Sequence, residues 1–112
     1  MDTLPVYSPN APERSAVDAW PGPLLLEFGA PWCGHCQAAQ KPLGEALAGS
    51  TIRERLTHLK IEDGPGRPLG RSFRVKLWPT LILMENGVER ARLVRPTQLS
   101  EIDAFLRALP GA

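Results

Sequence analysis

The 112-residue chain has two cysteines, and they stand two residues apart in Trp32-Cys33-Gly34-His35-Cys36. Thiols at that spacing can close a small disulfide ring and reopen it. The segment follows an apolar run, Leu24-Leu25-Leu26-Glu27-Phe28, and precedes a stretch of helical periodicity, so Cys33 is expected at a helix start. Free N–H groups and the helix dipole stabilise a thiolate at such a position. An exposed, acidic nucleophile with a second thiol one turn away is what reversible thiol–disulfide exchange requires. Metal binding is the rival chemistry for such a pair. The chain has only two histidines to add, and His35 cannot easily join both sulfurs around one ion.

The elements that must hold this pair are legible on either side of it. Leu24 to Ala30 is apolar at nearly every position, as in a central strand covered on both faces. Residues 33–48 read as a helix with Ala39, Leu43 and Leu47 on one stripe, Gly49 closing it and Pro42 kinking it. Upstream, residues 1–10 are irregular, with at most a short edge strand around Val6 and Tyr7 between Pro5 and Pro9. Glu13 to Trp20 can form a short helix ended by Pro21-Gly22-Pro23. Downstream, Leu56 to Glu62 alternates as a strand does. A Gly/Pro loop over 63–70 leads to a helical turn at Arg71 to Val75. Thr80 to Met84 and Val88 to Val94 are strands joined through Asn86-Gly87, a strong hairpin signal. Thr97 can cap a last helix carrying Leu99, Ile102, Phe105, Leu106 and Leu109 on one face. The expected order is β-α-β-α-β-α-β-β-α. It describes one α/β domain over 1–112, a central mixed sheet flanked by helices on both faces.

Composition narrows the class. A net charge of +1 gives no reason to expect nucleic acid or an anionic membrane as partner. No apolar stretch approaches the length of a membrane span. The opening Met-Asp-Thr-Leu-Pro lacks the pattern of a secretory leader, so the expectation is a cytoplasmic monomer. In that setting a C-x-x-C pair signals redox or metal chemistry rather than a structural staple.

Ala30-Pro31-Trp32-Cys33-Gly34-His35-Cys36, following Leu-Leu-Leu-Glu-Phe, resembles the active-site segment of the thioredoxin superfamily, nearest to protein disulfide isomerase-type domains. Trp78-Pro79-Thr80, before a strand and the Asn86-Gly87 hairpin, resembles that family's cis-proline loop and the meander after it. The likeness runs from about residue 24 to 109 and implies the thioredoxin fold. It also implies a thiol:disulfide oxidoreductase without bound cofactor or metal. Cys33 would attack, and Cys36, buried one turn inside the helix, would resolve the mixed disulfide. Substrates would be disulfide-containing proteins or small disulfides, and an outside reductase or thiol pool would restore the dithiol. With Gly34 and His35 between the cysteines, the resemblance implies a couple between the thioredoxin and disulfide-isomerase types, about −270 and about −180 mV.

Further roles follow from the same resemblance. Glu27 interrupts an apolar strand, which is costly unless its charge is paired or neutralised. In the family that position holds a buried acid exchanging protons with the second cysteine, and Lys60 falls where a lysine often accompanies it. Pro79 would be the cis-proline beside Cys33, with Trp78 and Trp32 bordering a substrate groove. Three residues depart from the family pattern. Trp78 is larger than usual, and its indole either widens the docking surface or occludes it. Gly29 replaces a bulky aromatic, which predicts a looser floor to the site. Pro42 comes one position late, with Lys41 in the expected place. Arg67, Arg71, Arg74, Lys76, Arg90 and Arg92 read as solvated charges guarding a sheet edge, and His58 as packing. The alternative function is a redox-inactive module holding a protein partner in the groove beside Pro79. An intact C-x-x-C with Glu27 argues against it.

Overall fold

Period-two alternation along β1 (Pro23–Gly29) sets the two sides of the molecule in this computed structural model, which describes residues 6–111. Leu25 points toward α2 (Gly34–Ala48) and α4 (Leu99–Leu106), into a core with Leu43, Leu47, Ile102, Phe105 and Leu106. Leu24, Leu26 and Phe28 point the other way, against α1 (Arg14–Asp18) and α3 (Pro68–Ser72), where Val17, Leu69 and Phe73 complete a second core. Both faces being covered explains why the strand is almost continuously apolar. Glu27 therefore lies on the α2 side, within the core.

The sheet order is β2-β1-β3-β4, from β2 (Thr57–Glu62), β3 (Thr80–Glu85) and β4 (Val88–Val94). β2 runs parallel to β1, and the other two pairings are antiparallel. Helices lie on both faces, the arrangement the resemblance implied. The β3–β4 hairpin turns at Asn86 and Gly87, both at positive φ (49° and 79°), as a tight two-residue turn demands. Among the described residues no helix is long and apolar enough to cross a membrane.

Several local expectations change. The edge strand expected around Val6 and Tyr7 is reduced to one parallel bridge, Ser8 to Ile61. Pro9 has no N–H to extend the ladder, yet the bridge is firm. Ser8 donates to the Lys60 carbonyl and accepts from Glu62 N–H, each at 2.9 Å. The irregular 1–10 segment lies outside the described residues over 1–5. The helical turn expected at Arg71 to Val75 begins earlier, because Pro68 presets the first turn of α3, and Arg74 at φ 58° ends it. Gln98, rather than Thr97, caps α4. Glu101 reaches back to the Gln98 N–H at 3.0 Å and the Thr97 N–H at 3.1 Å, closing a capping box. A 3₁₀ turn at Arg53–Arg55 was not anticipated. α2 continues through Pro42 as a single helix.

Candidate redox-active site

Cys33 is the N-cap residue of α2, with extended backbone (φ −79°, ψ 120°), and its Sγ accepts the Cys36 N–H at 3.4 Å. Both thiols are free. Burial raises the Cys33 pKa. The hydrogen bond with the Cys36 side chain, the N–H groups of Cys36 and His35, and the charge of Arg95 outweigh it, so the thiol lies below its ordinary value. Cys36 goes the opposite way, pushed up to about 11, first by burial and then by its hydrogen bond with Cys33. The two thiols are thus shifted in opposite directions, Cys33 toward the thiolate and Cys36 away from it. Cys33 is only 8% exposed and Cys36 1%, so the thiol expected to attack is more covered than the open one anticipated. The ring of His35 is exposed, and its contribution to Cys33 comes through the backbone N–H. Gly34 is exposed too, with nothing within 4 Å of where a Cβ would stand.

Behind the sulfurs, Glu27 is fully buried, and both its oxygens are bonded. Oε1 meets His58 Nε2 at 2.9 Å. Oε2 accepts from the Tyr7 hydroxyl and from Gln40 Nε2 at 3.0 Å. Lys60 Nζ stands 3.9 Å from Oε2, donates to Gln40 Oε1 at 2.7 Å, and lies over the Tyr7 ring. Register explains the cluster. Leu25 pairs with His58 and Glu27 with Lys60, so both β2 side chains share the face of Glu27. Burial alone would raise the carboxyl. The hydrogen bond and charge of His58, then the charge of Lys60 and the Tyr7 hydrogen bond, bring it below its ordinary value. Among the described residues no buried side-chain polar atom lacks a partner.

Gly29 faces the same cluster. A Cβ there would stand 2.6 Å from Cys36 Sγ and 2.8 Å from the Tyr7 oxygen. The floor is therefore not loose. Tyr7 fills the place that a larger residue at 29 would take.

The outer wall is aromatic. The Trp78–Pro79 peptide is cis, and Trp78 packs against the cluster of Ala30, Cys33 and Cys36. Its indole N–H donates to Asp63 Oδ2 at 2.9 Å, and its ring meets Trp32 edge-on, centroids 5.6 Å apart. Trp32 is 73% exposed, which rules out a core-packing role. Arg95 Nε donates to the Trp78 carbonyl at 2.8 Å.

The structure thus brings together Cys33, Cys36, Glu27 and Lys60, with Trp32 and Trp78 at the rim and Pro79 buried behind Trp78. It adds Tyr7, Gln40, His58 and Arg95. His58, read as packing, is a direct partner of Glu27, and its place on the Lys60 side of β2 was the available signal. Gln40 follows Cys36 by four residues, the spacing that stacks two side chains on one helix face. Of the discounted charges, Arg67, Arg90 and Arg92 pair with Glu62, Glu85 and Glu89.

Comparison with known proteins agrees with this geometry. The family profile described as Thioredoxin matches residues 13–108. Thioredoxin 2 from Pseudomonas aeruginosa PAO1, solved in its reduced form, superposes with a TM-score of 0.82 at 50% identity, covering 95% of this chain and 96% of that one. Thioredoxin of Haemophilus influenzae is 34% identical over 84 residues, 75% of this chain and 77% of that protein. Human protein disulfide-isomerase A2 is 43% identical over 65 residues, 57% of this chain but 12% of that protein, so the chain spans a small part of the isomerases it matches. The profile takes in all four strands together with the Cys33–Cys36 segment, and the chain belongs to the thioredoxin family.

Proposed function

We propose that the protein is a thiol–disulfide oxidoreductase working through a Cys33–Cys36 dithiol/disulfide couple. One observation carries the reading: Cys33 Sγ sits at the N-cap of α2, accepting the Cys36 N–H, with the second thiol one turn inside the same helix. The Cys33 thiolate attacks a substrate disulfide. A Cys33–substrate bond forms, and the other substrate sulfur leaves as a thiolate. Cys36 then gives up its proton, with Glu27 as the acceptor, and attacks Cys33 Sγ. The internal disulfide closes and the second substrate thiol departs, two electrons having passed to the substrate.

Lys60 and His58 hold Glu27 ionised between turnovers. His35 and Gly34 tune the couple. Trp32 and Trp78, with Pro79 behind Trp78, form the docking rim for a disulfide-bearing peptide or a small disulfide. No bound cofactor is needed, and an external reductase or thiol pool restores the dithiol. The names carried by the relatives, thioredoxins and disulfide isomerases, support disulfides in proteins as the substrate class.

Insulin reduction by wild type and Cys33→Ser tests the reading. Activity in the wild type that vanishes in the variant is expected. Equal activity in both, or none in either, removes it. Cys36→Ser, which keeps the attacking thiol, should accumulate mixed disulfides in cells and so identify clients and compartment.

A further inference from the structure

We propose that Tyr7, from the segment before the first helix, is the residue through which Cys36 and Glu27 exchange their proton. The inference rests on the dithiol reading above and names the path that reading leaves open. Glu27 is the buried acceptor, but its recorded bonds go to Tyr7, Gln40 and His58 rather than to a sulfur. Gln40 touches both Glu27 and the Cys36 carbonyl, but a carboxamide N–H does not pass protons at neutral pH. Tyr7 is different. Its hydroxyl donates to Glu27 Oε2, and its ring packs on the cluster containing Cys36, with the phenol oxygen on the side of Cys36 Sγ.

The missing side chain at Gly29 makes the meeting feasible. The point where its Cβ would stand is within 3 Å of both Cys36 Sγ and the Tyr7 oxygen. The ring is held in turn by the Ser8 bridge to β2 and by Lys60 above its face, 4.4 Å from the centroid. Burial and the neighbouring charge of Glu27 push the phenol up, so Tyr7 stays protonated and serves as a conduit, not a store.

The step balances. The Cys36 S–H proton moves to the Tyr7 oxygen as the Tyr7 O–H proton moves to Glu27 Oε2. The products are a Cys36 thiolate, an intact phenol and a neutral Glu27. Tyr7 then donates to the thiolate, and Glu27 donates to Tyr7. His58, on the other carboxylate oxygen, and Lys60 both line a groove of about 1070 Å³ beside Tyr7 and Cys36. His58 and Lys60, both beside Glu27, favour its return to the ionised form. Among the described residues, the titratable or charged groups bonded to or paired with Glu27 are Tyr7 before α1 and His58 and Lys60 on β2, with Cys36 on α2 beyond Tyr7.

The test follows stopped-flow reaction of the reduced protein with 5,5′-dithiobis(2-nitrobenzoate). Attack by Cys33 releases the first thionitrobenzoate in a bimolecular phase, and attack by Cys36 releases the second in a unimolecular phase. Tyr7→Phe keeps the ring that fills the gap at Gly29. It should leave the first phase within twofold and slow the second at least tenfold at pH 7. The deficit should close as pH approaches that of free Cys36 ionisation, near 11. A second phase within twofold of wild type across pH 6–9 overturns the role. Should Tyr7→Phe fail to fold, the wild type decides alone. In mixed H2O/D2O the second-phase rate is expected to curve with deuterium fraction, as two moving protons require, and a straight line overturns the relay. Release of fewer than two equivalents by wild type would instead remove the dithiol reading beneath it.

Discussion

His58 Nε2 lies 2.9 Å from Glu27 Oε1, on the strand parallel to β1, and its side chain is 11% exposed where Glu27 is wholly enclosed. An acid this deep would ordinarily keep its proton. Here burial, which raises the carboxyl, is outweighed by the hydrogen bond and charge of His58, followed by the charge of Lys60. The pair thus links the stability of the core to the ionisation of the site.

Acid sensitivity should follow from that linkage. The folded pKa of Glu27 is below its unfolded value of about 4.5, so ionised Glu27 stabilises the fold. That contribution is complete above about pH 4.5 and is lost as pH falls through the lower folded value. Urea titrations from pH 7 to 3 should show a steeper acid loss for wild type than for Glu27→Gln. His58→Phe should cost about 1–3 kcal/mol at neutral pH by leaving one carboxylate oxygen without its partner. Its acid loss should also be smaller than that of wild type, because without His58 the folded pKa of Glu27 rises toward the unfolded value. A His58→Phe protein as stable as wild type at pH 7 would contradict the assignment.

Gly29→Ala should be disruptive far beyond its one added carbon. The new methyl would meet Cys36 Sγ at 2.6 Å and the Tyr7 oxygen at 2.8 Å, and neither is a free surface side chain. Tyr7 must move, at about 1–3 kcal/mol for an overpacked core. Thermal unfolding should register that loss. Closure of the Cys33–Cys36 disulfide should slow more than the first attack by Cys33. Wild-type stability with unchanged closure would mean that the gap is not filled as described.

Local sequence carried the parts of this site that local physics decides. The apolar run of β1, the helix start at Cys33 and the Asn86-Gly87 turn each depend on a few neighbouring residues, and each was legible. Glu27 announced itself as a charge where none is expected. His58 did not, because its role depends on how β2 registers against β1, and a lone histidine in an alternating strand has no local sign of its partner. Tyr7 was harder still. It lies between Pro5 and Pro9, reaches Glu27 across twenty residues through the single Ser8 bridge, and follows no periodicity. The empty position at Gly29 was visible, but what fills it was not. Arg95 sits just past β4 at φ 52°, a backbone state that no pattern of apolar residues reveals.

Arg95 itself should set part of the reactivity of Cys33. Its charge favours the thiolate, and its Nε holds the Trp78 carbonyl. Arg95→Gln removes the charge without returning the site to a β-carbon-free backbone, and Arg95→Lys keeps the charge while losing the planar guanidinium contact. The pH midpoint for alkylation of Cys33 by iodoacetamide should rise in Arg95→Gln and stay near wild type in Arg95→Lys. The gap should shrink in high salt, since the arginine is exposed and screened. Coincident midpoints at low salt would remove Arg95 from the account.

Trp78 should act as a partial cover over the sulfurs, held by one hydrogen bond. Its indole N–H is tied to Asp63 and its ring to the edge of Trp32, while its inner side packs on the cluster containing both cysteines. A cover so held filters by size. Asp63→Ala should loosen it, and Trp78→Ala should remove it. Iodoacetamide, being small, should alkylate Cys33 in all three proteins at rates within about threefold, after correction for any change in thiolate fraction. A bulky maleimide should react slowly with wild type, faster with Asp63→Ala and fastest with Trp78→Ala. The ordering matters more than the size of the effect, because it separates a held indole from one that merely lies nearby. If Asp63→Ala matches wild type while Trp78→Ala accelerates, the ring covers the site without needing its carboxylate anchor. If neither variant reacts faster with the maleimide, Trp78 does not occlude Cys33, and its indole serves only as part of the docking surface.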